Sequence, residues 1–387
     1  MNKKLLTVAI AAALVAPTAV LAEVTVYGQL HMSVDYTNSD STVAVGNVAR
    51  KSNLGVSSNS SRIGFKGSED LGGGMKAVWQ IESQVSMDEG QGTGPALDNT
   101  TAKGMNTKSS SLGSRNTYLG LAGGFGTALV GKHDTPFKML GRSLDPFADS
   151  IADTRQILGN EGSTASTWDL RPSNVIAYIT PNFSGFNAVL AYVSGLTDNT
   201  GTPGTVTAGA DNNKLHAFSL NATYTNGPIY AGLAYENHGV KDTVGGAGAK
   251  NPSAWRLGGS YAFGPAKVGG MWEQLNDTAI VGDVKRSGAT LFGTYSFGME
   301  TAKLAYTMAN KWKASGATLN DTQANLLALG VDHNFSKRTM AYAQYTKLTN
   351  KSAADYSLGG GGGYGDAVTP GVGKDPNAFS VGLIHKF

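Results

Sequence analysis

Residues 24–36, VTVYGQLHMSVDY, put Val24, Val26, Leu30, Met32 and Val34 or Tyr36 on one side of an extended chain. Gln29, His31, Ser33 and Asp35 fall on the other side. A period of two marks a strand with one apolar and one polar face. The texture returns at 60–69, where Ile63 and Phe65 oppose Arg62, Gly64 and Lys66. It returns again at 75–85, where Ala77, Trp79 and Ile81 oppose Lys76, Gln80 and Glu82. Similar runs follow to the C-terminus, the last near 378–387, for about sixteen strands in all by the same criterion. The polar region 37–57 reads as a loop.

The connections alternate in length. Short ones (Leu71–Gly74, Gly123–Gly126, Pro181–Gly185, Asn226-Gly227-Pro228, Gly264-Pro265, Gly298 and Ser336-Lys337) carry the glycine, proline, asparagine and serine of tight turns. Long ones lie near 37–57, 86–113, 134–172, 195–213, 239–252, 277–285, 311–324 and 349–377. A soluble sandwich has no reason to sort its connections this way, whereas an up-and-down barrel in an outer membrane has short periplasmic turns and long external loops. Strands of about nine to twelve residues also suit a tilted crossing. The apolar face must then meet lipid, because a closed barrel satisfies its own backbone and leaves no edge. Tyr261, Phe263, Tyr295, Phe297, Phe335 and Phe387 fall near the short-turn rim, and Tyr192, Tyr235, Trp272, Trp312 and Tyr345 nearer the long loops. Two aromatic belts are expected at the two membrane interfaces.

Composition supports an exported β protein. Residues 1–22 read as a cleavable signal peptide: Lys3 and Lys4, an apolar run from Leu5 to Val20, then Leu21-Ala22. Of 31 basic residues two lie in that leader, which leaves 29 against 28 acidic ones for residues 23–387. That balance argues against nucleic acid, which calls for a clustered basic excess. There is no cysteine among 387 residues, and 52 glycines against 12 prolines suit a turn-rich chain.

One stretch breaks the pattern. From His133 to Pro172 the alternation stops, and charges of both signs surround a short Leu/Phe/Ile segment. So long a segment without strand pattern is usually functional. On the other side of the question, strand parity turns Arg62 away from Ile63 and Phe65, into the lumen. Exposure to lipid near the midplane would cost about 2–4 kcal/mol.

The chain resembles the trimeric general porins of Gram-negative outer membranes, over the whole of residues 23–387. The markers are the opening VTVYGQL, SRIGFKGSEDLG in the second strand, RNTYLGLAGGFGTALVGKHDTPF across the fourth and fifth, the long third loop, and the terminal AFSVGLIHKF. The resemblance implies an all-β, 16-stranded antiparallel transmembrane barrel with short periplasmic turns, long external loops and a third loop, 133–172, folded inward as a fixed constriction. It further implies a homotrimer in the outer membrane, in contact with lipid and lipopolysaccharide, that passes ions and small hydrophilic solutes passively. The last strand, ending in Phe387, is similar to the signal read by the barrel-assembly machinery. Carried over residue by residue, Arg62, Lys132 and Arg171 match basic wall positions, and Asp145 and Asp149, with Asp153 close behind, match loop carboxylates that face them. Gln29 stands where lysine is common, Lys132 where arginine is commoner, and DPF only loosely matches the family's loop segment, so ion preference stays open. Rings of charge bias selectivity in wide pores. Alternatively these charges pin the loop to the wall, a role equally open to Lys138, Arg142 and Arg155.

No catalytic or cofactor motif competes. There is no G-x-S-x-G, H-E-x-x-H or phosphate loop. The run Gly360 to Gly365 lacks a βαβ context, and His31, His133, His216, His238, His333 and His385 have no metal-ligand spacing. Asp40, Asp88, Glu89, Asp98 and Asp366 read as solvated loop carboxylates, with cation bridging to lipopolysaccharide as the alternative. A sugar-selective porin and an adhesin or receptor role for the external loops remain as other readings.

Overall fold

The computed structural model describes residues 23–45, 48–88, 112–160, 168–195, 216–239, 250–277, 283–359 and 371–387. The expected signal peptide lies outside them, as do Glu89, Asp98 and Asp366 and the side chain of Asp40. The strands are β1 (Glu23–Val45), β2 in two runs (Val48–Ser58 and Arg62–Gly72), β3 (Met75–Gln84), β4 (Thr117–Gly123) and β5 (Gly126–Lys132). Next come helix α1 (Pro136–Ser143), β6 (Val175–Ile179), β7 (Phe186–Ser194), β8 (His216–Asn226), β9 (Ile229–Gly239) and β10 (Ser253–Phe263). The chain finishes with β11 (Ala266–Asn276), β12 (Arg286–Phe297), β13 (Glu300–Ala309), β14 (Ala324–Asn334), β15 (Thr339–Asn350) and β16 (Asn377–Lys386). Each strand pairs antiparallel with its neighbour in sequence, and β1 pairs with β16, so sixteen strands close a barrel. The last residue helps shut the seam: Gly28 N donates to Phe387 O at 3.0 Å, and Phe387 N donates to Gly28 O at 3.2 Å. β4, β5 and β6 are the short members, with seven, seven and five residues.

Parity holds along the wall. Val24, Val26, Val34 and Tyr36 are exposed on the outside of β1, while Gln29, His31, Ser33 and Asp35 are buried inside it. Tyr261, Phe263, Tyr295, Phe297, Phe335 and Phe387 are exposed toward the short-turn rim, and Tyr192, Trp272 and Tyr345 toward the other. Trp312 departs from the expected belt: it packs against the buried core, with the Arg286 guanidinium 5.3 Å from its ring centre. At two of the tight turns Gly227 and Gly264 take φ of 54° and 57°, the left-handed region that glycine enters without a Cβ penalty.

Region 37–57 is a correction to the sequence reading. It is a hairpin, with Tyr36 opposite Leu54 and Val34 opposite Val56, and these four apolar side chains carry the outward face upward. Thr37, Ser39 and Ser57 are buried on the inside. A polar composition marked the inward face of a strand pair, which a reading based on average polarity takes for a loop.

The inner wall is not uniformly polar either. Ala234, Ala254, Met271, Leu275, Phe292, Ala305, Ala309, Leu326, Ala328 and Leu348 form one buried cluster with Phe137, Leu140, Leu144, Phe147, Ile151, Ile157, Leu158 and Trp168 of the third loop. The loop therefore lies inside the barrel on an apolar seat built from β9 to β15. Burial of each such large side chain is worth about 1.5–3 kcal/mol.

Candidate functional site

Helix α1 begins the inward segment. Thr135 caps it by accepting from Lys138 N, Pro136 occupies the first turn, and Lys138 pairs with Asp134 one turn back at 2.8 Å. Its stop lies in Asp145-Pro146, since a residue before proline is pushed out of the helical region. The wall is hollowed to receive it. A Cβ added to Gly258 would stand 2.5 Å from Leu144, one on Gly288 2.8 Å from Leu158, and one on Gly330 2.9 Å from the Phe147 ring. Gly232 plays the same part beneath Leu140.

Buried charges then lock the loop to that seat. Glu273 of β11 is fully buried between Arg256 of β10, at 2.8 Å, and Arg286 of β12, at 3.0 Å, and accepts from Gly159 N at 2.9 Å. Arg256 also pairs with Asp169 on the loop's return limb at 2.6 Å, and Arg286 donates to Ile157 O at 3.1 Å and Tyr356 Oη at 2.7 Å. Trp168 stacks on His238 with ring centres 4.4 Å apart, and His238 meets Glu236 at 2.9 Å. Sequence reasoning passed over Glu236, Arg256, Glu273 and Arg286 and weighed His238 only as a metal ligand, although the hairpin at Gly264-Pro265 already sets Arg256 opposite Glu273.

The loop's tip carries a second set. Arg142 pairs with Asp149 and, at 2.5 Å, with Asp153; Arg155 reaches Asp153 at 2.8 Å and Asp149 at 3.8 Å. Arg62, on the wall, stands 3.8 Å from both Asp149 and Glu82, and Glu82 holds Arg115 at 2.6 Å. Arg62, Arg142 and Asp149 each keep a partly exposed side chain, at 23, 21 and 22 %. At the loop's base Arg171 pairs with Asp134 at 2.9 Å and donates to Asn116 Oδ1 at 2.9 Å. Lys132, at the end of β5, makes no ion pair among the described residues and borders a groove of about 650 Å³ with Thr117, Val130, Asn174 and Ile176.

The six sequence candidates thus separate. Arg62 and Asp149 meet. Asp153 is fully buried and binds the two loop arginines. Asp145 turns into the loop, accepting from Phe147 N at 2.8 Å and from Thr154 N and Oγ1 at 3.0 Å. Arg171 and Lys132 lie at the loop's base. Arg115 and Glu82, which belong with Arg62, escaped the sequence reading. Burial works against the charge on Asp153, but the Arg155 and Arg142 guanidinium groups outweigh it and hold that carboxyl well below the usual carboxylate range. Burial, reinforced by the Asp153 charge, pushes the Asp145 carboxyl up to about 7. Around the tip four guanidinium groups (Arg62, Arg115, Arg142, Arg155) share three carboxylates (Glu82, Asp149, Asp153). At the base Lys138 and Arg171 share Asp134, and Lys132 lies close enough to feel the Arg171 charge. Among the described residues no cluster of histidine and carboxylate side chains is disposed to hold a metal ion.

Comparison with known proteins agrees with this architecture. Residues 7–353 match the family model described as Gram-negative porin. The chain is 33% identical over 392 residues to outer membrane porin protein 32 of Delftia acidovorans, covering all of both chains. It is 29% identical over 406 residues to major outer membrane protein P.IB of Neisseria sicca, again over the whole of both. Among solved structures, an anion-selective porin from Comamonas acidovorans superposes with a TM-score of 0.71 at 28% identity, covering 95% of this chain and 100% of that one. OmpT of Vibrio cholerae shares the fold, with a TM-score of 0.64 at 16% identity and 96% of this chain covered.

Proposed function

Because the chain belongs to the Gram-negative porin family, and so forms a water-filled outer-membrane channel for passive diffusion of ions and small hydrophilic solutes, we propose that its third loop, 133–172, is the constriction and favours anions. The observation that carries this reading is the tip of the loop, where among the described residues four guanidinium groups are paired with three carboxylates. Arg62 and Arg142 present partly exposed guanidinium groups next to the water path, and both reach the partly exposed carboxylate Asp149. Charge lining a pore enriches the counter-ion and depletes the co-ion. That a solved relative is an anion-selective porin supports the same direction. Arg62, Lys132, Arg171 and Asp149 act on permeating ions in this reading, while Asp145 and Asp153 shape the loop that presents them.

Reversal potentials in a potassium chloride gradient test it. Wild-type channels are expected to pass chloride in preference to potassium. Arg62→Glu should lower the chloride-to-potassium permeability ratio several-fold, and Asp149→Asn should raise it. Neither is expected to move the ratio much at molar salt, where the Debye length shrinks to about 3 Å. If both variants keep the wild-type ratio at low salt, the charges serve only to hold the loop.

The oligomer in this proposal is a homotrimer, delivered through the barrel-assembly machinery by the strand that ends in Phe387 and seated among lipid and lipopolysaccharide. Its support is family membership. Unheated protein should migrate on a detergent gel as a species about three times the mass of the boiled chain. A monomer that resists detergent without heating would remove the trimer from the proposal.

A further inference from the structure

On the periplasmic side every short turn and the strand ends beside it fall among the described residues, so the charge lining that half of the lumen is legible. One row of paired residues crosses it. Arg338 stands just before β15, past the Ser336-Lys337 turn, and its carbonyl accepts from Lys386 N at 2.8 Å. Lys386 lies opposite Gln29 of β1, and Gln29 opposite Arg62 of β2. Parity turns all four inward. Ser380 and Gly382 are buried on the Lys386 face of β16, while Phe379, Val381 and Leu383 are exposed on the other. Tyr342 and Gln344 are buried on the Arg338 face of β15, and Gln29 is buried on the inner face of β1.

The row climbs from the rim to the constriction. Arg338 and Lys386 lie at the periplasmic ends of their strands, whereas Arg62 opens the eleven-residue run that descends to Gly72 at the short turn. Neighbouring strands are about 4.8 Å apart, so Arg62 and Lys386 are about 10 Å apart across Gln29, with Arg338 one strand further. Lys66 sits below Arg62 on the same strand and face, its ammonium 5.2 Å from the Tyr27 ring centre.

This stripe of positive charge is not cancelled on the spot. Lys66, Arg338 and Lys386 are exposed and make no ion pair among the described residues. Carboxylates on the same inner face are engaged elsewhere: Glu82 holds Arg115 at 2.6 Å, Asp332 holds Lys303 at 2.8 Å, and Asp70 lies opposite Lys76 at the rim. Glu23, at the edge of β1, faces Ser68, and the terminal carboxylate of Phe387 accepts from Gly28 N in the seam. Charges spaced by about one Debye length in 0.1 M salt act on a passing ion as a continuous field, which the low-dielectric wall behind them sharpens.

We propose that Arg338, Lys386 and Lys66 form a basic ramp on the periplasmic wall of the lumen, which gathers small anions, inorganic or carboxylate, and passes them to and from Arg62. The ramp deepens the anion reading of the constriction and rests on it for its upper end, but its own charges lie outside the third loop.

Reversal potentials in channels of known orientation, with a potassium chloride gradient applied each way, test it. A dilute solution on the short-turn side leaves the ramp unscreened, whereas about 1 M salt there shrinks the Debye length to about 3 Å and hides it. The variant Lys66→Gln/Arg338→Gln/Lys386→Gln should therefore lower the chloride-to-potassium permeability ratio by about twofold with the dilute solution on the short-turn side, and leave it unchanged in the opposite gradient. The charge-conserving Lys66→Arg/Arg338→Lys/Lys386→Arg should keep the wild-type ratio both ways. An unchanged ratio in both gradients overturns the proposal, and so does an equal fall in both, which would place the effect at the constriction. Should Lys386→Gln hinder closure of the seam, Lys66→Gln/Arg338→Gln reads the same asymmetry. Failure of the constriction reading would look different: Arg62→Glu and Asp149→Asn would keep the wild-type ratio whichever way the gradient runs, while the ramp variants still lowered it in one.

Discussion

Glu273→Ala is expected to destabilise the barrel by about 3–5 kcal/mol, the cost of removing one partner from a buried ion pair. The magnitude follows from what is left behind. Arg256 and Arg286 are each about 1 % exposed or less, and both lean on this carboxylate. Arg256 keeps Asp169, so the heavier loss falls on Arg286, whose remaining bonds run to the Ile157 carbonyl and the Tyr356 hydroxyl. Gly159 N also loses its acceptor, which detaches the loop's far limb from the wall. Two readouts should therefore move together: the urea midpoint of unfolding falls, and single-channel conductance rises as the loop leaves its seat. Glu273→Gln, which retains an acceptor but not the charge, should lie between. A Glu273→Ala protein with wild-type midpoint and conductance would show that the loop is held by its apolar face alone.

The second large effect is expected at Asp153→Ala, on the order of 3 kcal/mol, because charge-assisted hydrogen bonds each contribute about 1.5–3 kcal/mol and several end here. Asp153 accepts from Arg142 at 2.5 Å, from the Arg155 side chain at 2.8 Å, and from the backbone of Asp149 and Arg155 at 3.0 and 2.9 Å. Its loss frees the tip and two guanidinium groups at once, so conductance should become noisy and anion preference should increase. Asp149→Ala removes a partly exposed partner of the same arginines and should cost no more than about 1 kcal/mol. The depressed acidity of Asp153 sets the pH window. A carboxyl held below its unfolded value of about 3.9 contributes its full stability above that value and loses it as pH falls through the folded one. Because the Asp145 carboxyl in the same loop is pushed up to about 7, the window that reports on Asp153 lies below it: current noise in the wild type should stay flat from pH 6 to 5 and rise only in strong acid. Noise that rises already between pH 6 and 5 would sink this account.

The barrel was legible from sequence because lipid and lumen impose a strict period of two, and because turn chemistry separates the two rims. Where the inward face is built of threonine, serine and asparagine, as at 37–57, polarity ceased to distinguish strand from loop, and the hairpin was missed. The site was legible in a different proportion. Arg62 follows from parity with Ile63 and Phe65, and Asp149 from its place in the loop. Asp145 and Asp153 carry the same charge in the same segment, yet one binds loop backbone and the other loop arginines, a distinction made by chain folding between positions 142 and 155. Arg256 and Glu273 could have been paired by counting back from Gly264-Pro265. That both are buried depended on a loop more than eighty residues earlier lying across them, which no local pattern announces.

The brevity of β6 has a consequence for the surrounding lipid. Five residues from Val175 to Ile179 extend about 17 Å at roughly 3.3 Å per residue, less than the apolar band of about 25 Å typical of such barrels. β5 beside it and β4 beyond are only two residues longer, so the deficit spans a sector and not a single strand. Facing acyl chains, that sector demands local thinning of the leaflets, at fractions of a kcal/mol per ångström of mismatch. A neighbouring protein surface seated there abolishes the demand, and the bilayer's own elasticity then works to keep the two surfaces together.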